Sequence, residues 1–214
     1  MKTIIKITVL TMLFITSVSF SQLVTKVLVY NGPGGQIDKC TGITQDNFGF
    51  VYATGVSWGS NSTKEDYATI KFGEDGDYIW AVRYDGPGHN LDYASAITID
   101  NAGNVYVTGW SRSGGDYGSE DYCTIKYNNN GQQLWVARYD GAVGSECYYY
   151  DYANAIVVDN AGNVYVTGES WGNDDLNGDY LTVKYNSNGV LQWAKRYNGP
   201  SSKNDKALSI SLDA

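Results

Sequence analysis

The strongest constraint on the fold is a block of about 55 residues that occurs three times in the chain. Each copy reads Gly-x-Val-Tyr-x-Thr-Gly, a variable stretch, Asp-Tyr-x-Thr-(Ile/Val)-Lys-(Tyr/Phe), a turn, Trp, and finally Tyr-(Asp/Asn)-Gly. Asp66-Tyr67, Asp121-Tyr122 and Asp179-Tyr180 share one phase, as do Trp80, Trp135 and Trp193. The Tyr-(Asp/Asn)-Gly units start at Tyr30, Tyr84, Tyr139 and Tyr197. A chain that repeats in this way builds one structural unit several times, so a residue means most when compared with its counterparts.

Each copy holds four runs of strand length, in the clearest case Ser95 to Asp100, Asn104 to Gly109, Asp121 to Tyr127 and Gln133 to Tyr139. They are rich in Val, Ile, Thr, Tyr and Trp, and the third alternates cleanly between two faces. The first two runs are joined by Asp100-Asn-Ala-Gly-Asn, repeated from Asp159, and the last two by Asn-Asn-Asn-Gly from Asn128 or Asn-Ser-Asn-Gly from Asn186. Asn and Gly accept positive φ cheaply, so these are tight hairpin turns. No segment after residue 21 has helical periodicity. Four antiparallel strands per repeat without a helix predict an all-β chain, a β-propeller-like array of four-stranded blades.

The stretches Ala-Ile-x-(Ile/Val)-Asp-Asn-Ala-Gly-Asn-Val-Tyr-Val-Thr-Gly and Asp-Tyr-x-Thr-(Ile/Val)-Lys-Tyr-Asn-x-Asn-Gly resemble the bacterial SBBP class of β-propeller repeat, found in exported and cell-surface proteins. The resemblance covers nearly all of residues 24 to 214 and is most specific in the second and third copies. In the first copy Asp46-Asn47-Phe48-Gly49-Phe50 replaces the usual first turn and Phe72-Gly73-Glu74-Asp75-Gly76 the second. The resemblance implies a scaffold and no particular reaction.

Three full blades are expected, at about 40–86, 94–141 and 153–199, with single flanking strands at Val24 to Tyr30 and Ala207 to Asp213 and a partial blade over 205–214. The middle strands of a closing blade are missing, and closed rings use at least about four blades. The expected array, residues 22–214, is therefore open or incomplete, completed by further blades or a second chain.

Residues 1–21 read as a secretory signal peptide: Lys2 and Lys6, then an apolar run from Ile7 to Val18, then small residues about Phe20. That run falls well short of the roughly 20 residues of a membrane span. The formal net charge of −8 becomes −10 once Lys2 and Lys6 are removed, which disfavours nucleic acid and anionic lipid as partners. Cys40, Cys123 and Cys147 are odd in number and form no metal-type pair. Cys40 and Cys123 take positions filled elsewhere by Ala94 and Ala153, and by Ala68 and Leu181, so they read as small core residues.

Strand parity sends every long connection to one face: Ser57 to Glu65, Ser111 to Glu120 and Ser170 to Gly178 within blades, and Pro87 to Leu91, Ala142 to Tyr150 and Pro200 to Asn204 between them. Function favours such loops on a rigid frame. Positions filled alike in every blade are explained by packing, which makes Trp80, Trp135 and Trp193 core or blade-to-blade residues. The same rule leaves Lys71, Lys126 and Lys184 solvated, or paired, like Arg83, Arg138 and Arg196, with Asp66, Asp121 and Asp179. The candidate ligand-binding residues are those that differ: Trp58, Trp110, Trp171, Asp116, Tyr117, Tyr148, Tyr149 and Asp174. Aromatic rings mixed with carboxylates suit stacking on a sugar or gripping a protein at the extracellular surface.

Catalytic tools are few. His89 is the single histidine and has no Ser or Cys motif beside it. A glycosidase pair could be drawn from Asp116, Glu120, Asp174 and Asp175, but acidic loops carry such residues without any reaction. Asn173, Asp175, Asn177 and Asp179 alternate before and after a glycine as calcium-loop ligands do, yet the first is neutral and Lys184 stands at the twelfth position, where a carboxylate belongs. The expectation is therefore no cofactor and no enzyme activity, with a carbohydrate-active enzyme as the alternative.

Overall fold

The computed structural model describes residues 30–59, 64–114, 118–141, 150–171, 177–201 and 203–213. Twelve strands are formed among them, and no helix. β1 (Asp38–Gln45), β2 (Val51–Trp58), β3 (Glu65–Phe72) and β4 (Tyr78–Tyr84) make the first sheet. β5 (Asp92–Ile99), β6 (Val105–Ser113), β7 (Ser119–Tyr127) and β8 (Gln133–Tyr139) make the second. β9 (Asp151–Val158), β10 (Val164–Trp171), β11 (Gly178–Tyr185) and β12 (Leu191–Tyr197) make the third. Every pairing is antiparallel between sequence neighbours, so each sheet is an up-and-down blade.

The first turns are built alike in all three blades. Asp100 Oδ1 accepts the amides of Ala102 and Asn104, both at 2.9 Å, while Oδ2 takes the Asn104 amide group and the Tyr106 hydroxyl at 2.8 Å. Asp159 repeats this with Ala161, Asn163 and Tyr165. Asp46, in the copy whose sequence departs from the pattern, takes the amides of Phe48 and Phe50 and the Tyr52 hydroxyl. Gly49, Gly103 and Gly162 supply the positive φ the turn requires. The turn thus depends on one aspartate and one glycine, and its middle residues are free to vary.

The core lies between blades. Tyr52 and Tyr67 on the back of the first blade pack against Ala94, Val105, Val107, Cys123, Ile125 and Tyr127 on the front of the second. Tyr106 and Tyr122 pack in the same way against Val164, Val166, Leu181, Val183 and Tyr185 of the third. Hydroxyls pin these faces together: Tyr67 Oη donates to the Cys123 carbonyl at 3.1 Å and Tyr122 Oη to the Leu181 carbonyl at 3.2 Å. Trp80 Nε1 and Trp135 Nε1 donate to the next blade's turn carbonyls, Asn129 and Ser187, at 3.0 and 3.1 Å. Trp80 and Trp135 are therefore blade-to-blade residues, whereas Trp193, with no following blade among the described residues, is 36% exposed.

The Thr-Gly of each repeat has a steric cause. Bulges at Cys40/Gly42, Ala94/Ala96 and Thr167/Gly168 push the first strand toward the second. A Cβ on Gly55, Gly109 or Gly168 would lie 1.9–2.0 Å from the carbonyl of Lys39, Tyr93 or Tyr152. On Gly109 and Gly168 it would also crowd the Tyr67 and Tyr122 hydroxyls. The bulged residues turn toward the neighbouring blade: Thr41 Oγ1 donates to the Ala94 carbonyl at 2.7 Å.

The sheets do not close into a ring. Tyr180, counterpart of Tyr67 and Tyr122 at 1% and 0% exposure, is 41% exposed. The flanking segment Ala207 to Asp213 takes the place of a fourth blade's first strand: Asn154 Nδ2 donates to the Ala207 carbonyl at 2.9 Å, as Thr41 does to Ala94. It belongs to no ladder among the described residues. Residues 24–29 lie outside the described residues. Cys123 is buried and free, but Cys40 is exposed, because the blade face it occupies is covered only from the second blade onward. Lys71 is likewise not solvated: it is buried with its ammonium over the Phe50 ring.

Gly109→Ala is expected to destabilise the chain by about 3 kcal/mol or more, since backbone rather than a flexible side chain must move; thermal and urea unfolding read this out. The turn aspartates make a second prediction. Burial pushes the carboxyls of Asp100 and Asp159 up, but the Asn104 and Asn163 donors, the tyrosine hydroxyls and the turn amides outweigh it and hold both below the usual range. A depressed folded-state value gives stability that is full above the ordinary carboxylate range and is lost as pH falls through the folded one. Asp100→Asn with Asp159→Asn should flatten the acid limb of a stability-against-pH curve.

Candidate functional site

The first strands pack in series, β5 on β1 and β9 on β5, while β4, β8 and β12 make no comparable contact, so the blades fan out from a narrow first-strand edge. At the long-loop end of that edge the structure assembles a continuous aromatic band. Tyr93 stacks on Trp110 with centroids 5.8 Å apart and planes 7° from parallel. Trp110 meets Tyr152 edge-on at 5.9 Å, Tyr152 stacks on Tyr150 at 6.0 Å, and Tyr150 meets Trp171 edge-on at 6.0 Å. All five rings are half-buried. Lys39 closes one end, its Nζ donating to the Tyr93 hydroxyl at 2.7 Å.

Polar groups sit against this band. Arg112 bonds to Glu120 Oε1, and the Tyr152 hydroxyl donates to Glu120 Oε2 at 2.5 Å. Burial, then the bond to Glu120, pushes the Tyr152 phenol well above its ordinary range. Glu120 is buried within this ion pair. The indole N–H of Trp171 is buried and meets no acceptor among the described residues.

The three candidate tryptophans are not equivalents. Trp58 faces Glu65 and Trp171 faces Gly178 across the sheet, and in the second blade that position is Arg112 facing Glu120. Trp110 lies two residues earlier, where the other blades have Val56 and Glu169, paired with Tyr122. The structure brings Trp110 and Trp171 into one band through Tyr152 and Tyr150, and Trp58 is not part of it. Asp116, Tyr117, Tyr148, Tyr149 and Asp174 lie outside the described residues, as do Asn173 and Asp175. Asn177 is half-buried, and Asp179 is drawn into the sheet, opposite Ser170 and 3.5 Å from Arg196.

Sequence reasoning missed the aspartates that begin each first strand. Asp92 Oδ2 accepts the Gly86 amide, Asp151 Oδ2 the Gly141 amide and Asp205 Oδ2 the Gly199 amide, each at 2.6 Å, and Asp38 accepts from Gly32 at 2.8 Å. The signal is an Asp two residues before the Cys40, Ala94, Ala153 or Ala207 position, after each Tyr-(Asp/Asn)-Gly. Asp66, Asp85 and Asp92 converge at one junction, and Asp121, Asp140 and Asp151 at the next. Burial pushes the carboxyls of Asp92 and Asp151 up to about 6, against the pull of the neighbouring serine hydroxyls and glycine amides. Arg83, Arg138 and Arg196 pair with the β3, β7 and β11 aspartates at 2.6, 2.9 and 3.5 Å.

Blades that share their cores face to face and fan from one edge define an open β-propeller-like array. The family model for the SBBP β-propeller repeat matches residues 20–61, 82–117 and 148–176, and the chain belongs to that family. No curated protein matches the sequence. Among solved structures it is similar to one described as the crystal structure of the eukaryotic initiation factor, at 8% identity and a TM-score of 0.45, covering 77% of this chain. The chain spans 36% of that structure's chain. Among the described residues no helix is long and apolar enough to cross a membrane.

Tyr152→Phe leaves the buried Glu120 one donor short and is expected to cost about 1–3 kcal/mol. Near-UV circular dichroism should weaken with it as the Tyr150–Tyr152 stack loosens.

Proposed function

We propose that this chain is an exported, non-catalytic β-propeller repeat scaffold that binds or displays a glycan or protein partner at the cell surface. The observation that carries the reading is the band from Tyr93 to Trp171. It lies on the narrow edge of the fan, at the end where the variable loops emerge, and it is built from residues that are not repeated in every blade. Aromatic edges bordered by Lys39, Arg112 and Glu120 suit a sugar or a peptide, both of which combine apolar faces with hydroxyl, amide or charged groups. The leader-like residues 1–21 and the acidic balance support export and argue against nucleic acid as the partner.

A glycan array probed with the soluble chain, run beside a reducing-sugar assay, tests this reading. Binding is expected without turnover, and Trp110→Ala or Tyr150→Ala should weaken it at least tenfold while Trp58→Ala leaves it unchanged. Sugar release abolished by Asp116→Asn or Asp174→Asn would instead establish the glycosidase. Binding only to proteins would narrow the partner to the second class.

A further inference from the structure

At two junctions between blades three aspartates converge. At the first junction Asp66 and Asp92 are buried and Asp85 half-buried, and one oxygen from each lies within 4.8 Å of the others. Asp121, Asp140 and Asp151 converge likewise at the second junction, where Asp140 is exposed. Arg83 pairs with Asp66, the His89 ring with Asp85 and Arg138 with Asp121. Asp92 and Asp151 are each only 1% exposed and join no ion pair among the described residues. Their Oδ2 atoms take glycine amides, but no donor meets either Oδ1 with hydrogen-bond geometry. On the side facing Asp92, Arg138 donates to the Ser111 hydroxyl at 2.5 Å. Buried carboxylates in this state call for a proton or a cation.

We propose that each of these two junctions binds a divalent cation of the calcium type between its three aspartates. The donors are all carboxylate oxygens, the preference of a hard cation, and they come from three separate segments: a β3-type strand, the Tyr-Asp-Gly turn after the β4-type strand, and the first strand of the following blade. A cation there ties consecutive blades at the point where their backbones meet. It gives the orphaned Oδ1 of Asp92 and of Asp151 a partner. The third junction is the internal comparison, because Asn198 takes the place of Asp85 and Asp140 between Asp179 and Asp205. That substitution removes one ligand charge, and the third junction is expected to bind far more weakly. These sites are distinct from the loop ligands Asn173, Asp175 and Asn177.

Terbium, which occupies calcium-type oxygen sites and luminesces when excited through nearby aromatic rings, reads the sites directly. Titrated into the intact chain, it should saturate at two ions, displaced by calcium. Asp92→Asn and Asp151→Asn should each remove one ion and together remove both. Asn198→Asp should add a third. Calcium should raise the thermal midpoint of the unaltered chain and leave that of the double variant unchanged. Should the buried substitutions prevent folding, Asp85→Asn with Asp140→Asn removes a ligand from the more exposed side of each site and is expected to abolish binding in a folded chain. The absence of saturable luminescence would overturn the proposal. So would its persistence in either folded double variant, which would place the ions in the loops instead.

Discussion

The structure depends on the hydroxyl of one tyrosine reaching through to the backbone of the next blade. Tyr67 and Tyr122 do this from the middle of β3 and β7, and they are the most completely buried large side chains of their blades together with Tyr52 and Tyr106. A polar group at such depth must find an acceptor, so the hydroxyl dictates how far apart consecutive sheets sit. Gly109 and Gly168 of the Thr-Gly pairs provide the space, admitting both the bulged carbonyl of their own blade and the tyrosine from the blade before. Sterics at one glycine and a hydrogen bond at one tyrosine thus fix the same distance. A blade alone has two apolar faces and no interior of its own, which is why the core clusters span neighbouring blades.

What the repeat shares and what it varies occupy different places. The shared residues (turn aspartates, Arg–Asp pairs, tyrosine pegs, tryptophans on turn carbonyls) lie within and between the sheets. The aromatic band arises where copies differ. Tyr93 and Tyr152 stand where the first strand of the opening blade has Lys39 and the terminal segment has Lys206, and Trp110 stands where the other blades have Val56 and Glu169. A surface made from such differences is asymmetric on a nearly symmetric frame. That is what a single binding site requires.

Much of the fold was legible because strand phase converts spacing into position. The pairing of Arg83, Arg138 and Arg196 with the β3-type aspartates follows from their phase, as does the role of Trp80 and Trp135. Three things were not legible, each for a physical reason. Trp58, Trp110 and Trp171 look alike as residue types, and although the spacing after Thr-Gly sets Trp110 two residues out of register, it does not show that Trp110 and Trp171 meet through Tyr152 and Tyr150. Asp92 and Asp151 resemble turn residues, because nothing local shows that a blade from elsewhere in the chain will bury them. Lys71 resembles a solvated lysine until the aromatic rings of Phe50 and Tyr52 are seen beneath its ammonium. In each case the missing information is which surfaces meet.

If stability resides in the junctions, the middle blade, covered on both faces, must be the hardest part to open. Native-state hydrogen exchange measured strand by strand tests this most directly. The account predicts the slowest exchange in β6 and β7, whose opening follows global unfolding, with faster, sub-global exchange in the outward-facing strands of the first and third blades. Equal protection in all three blades, or a first blade that outlasts the second, would contradict it.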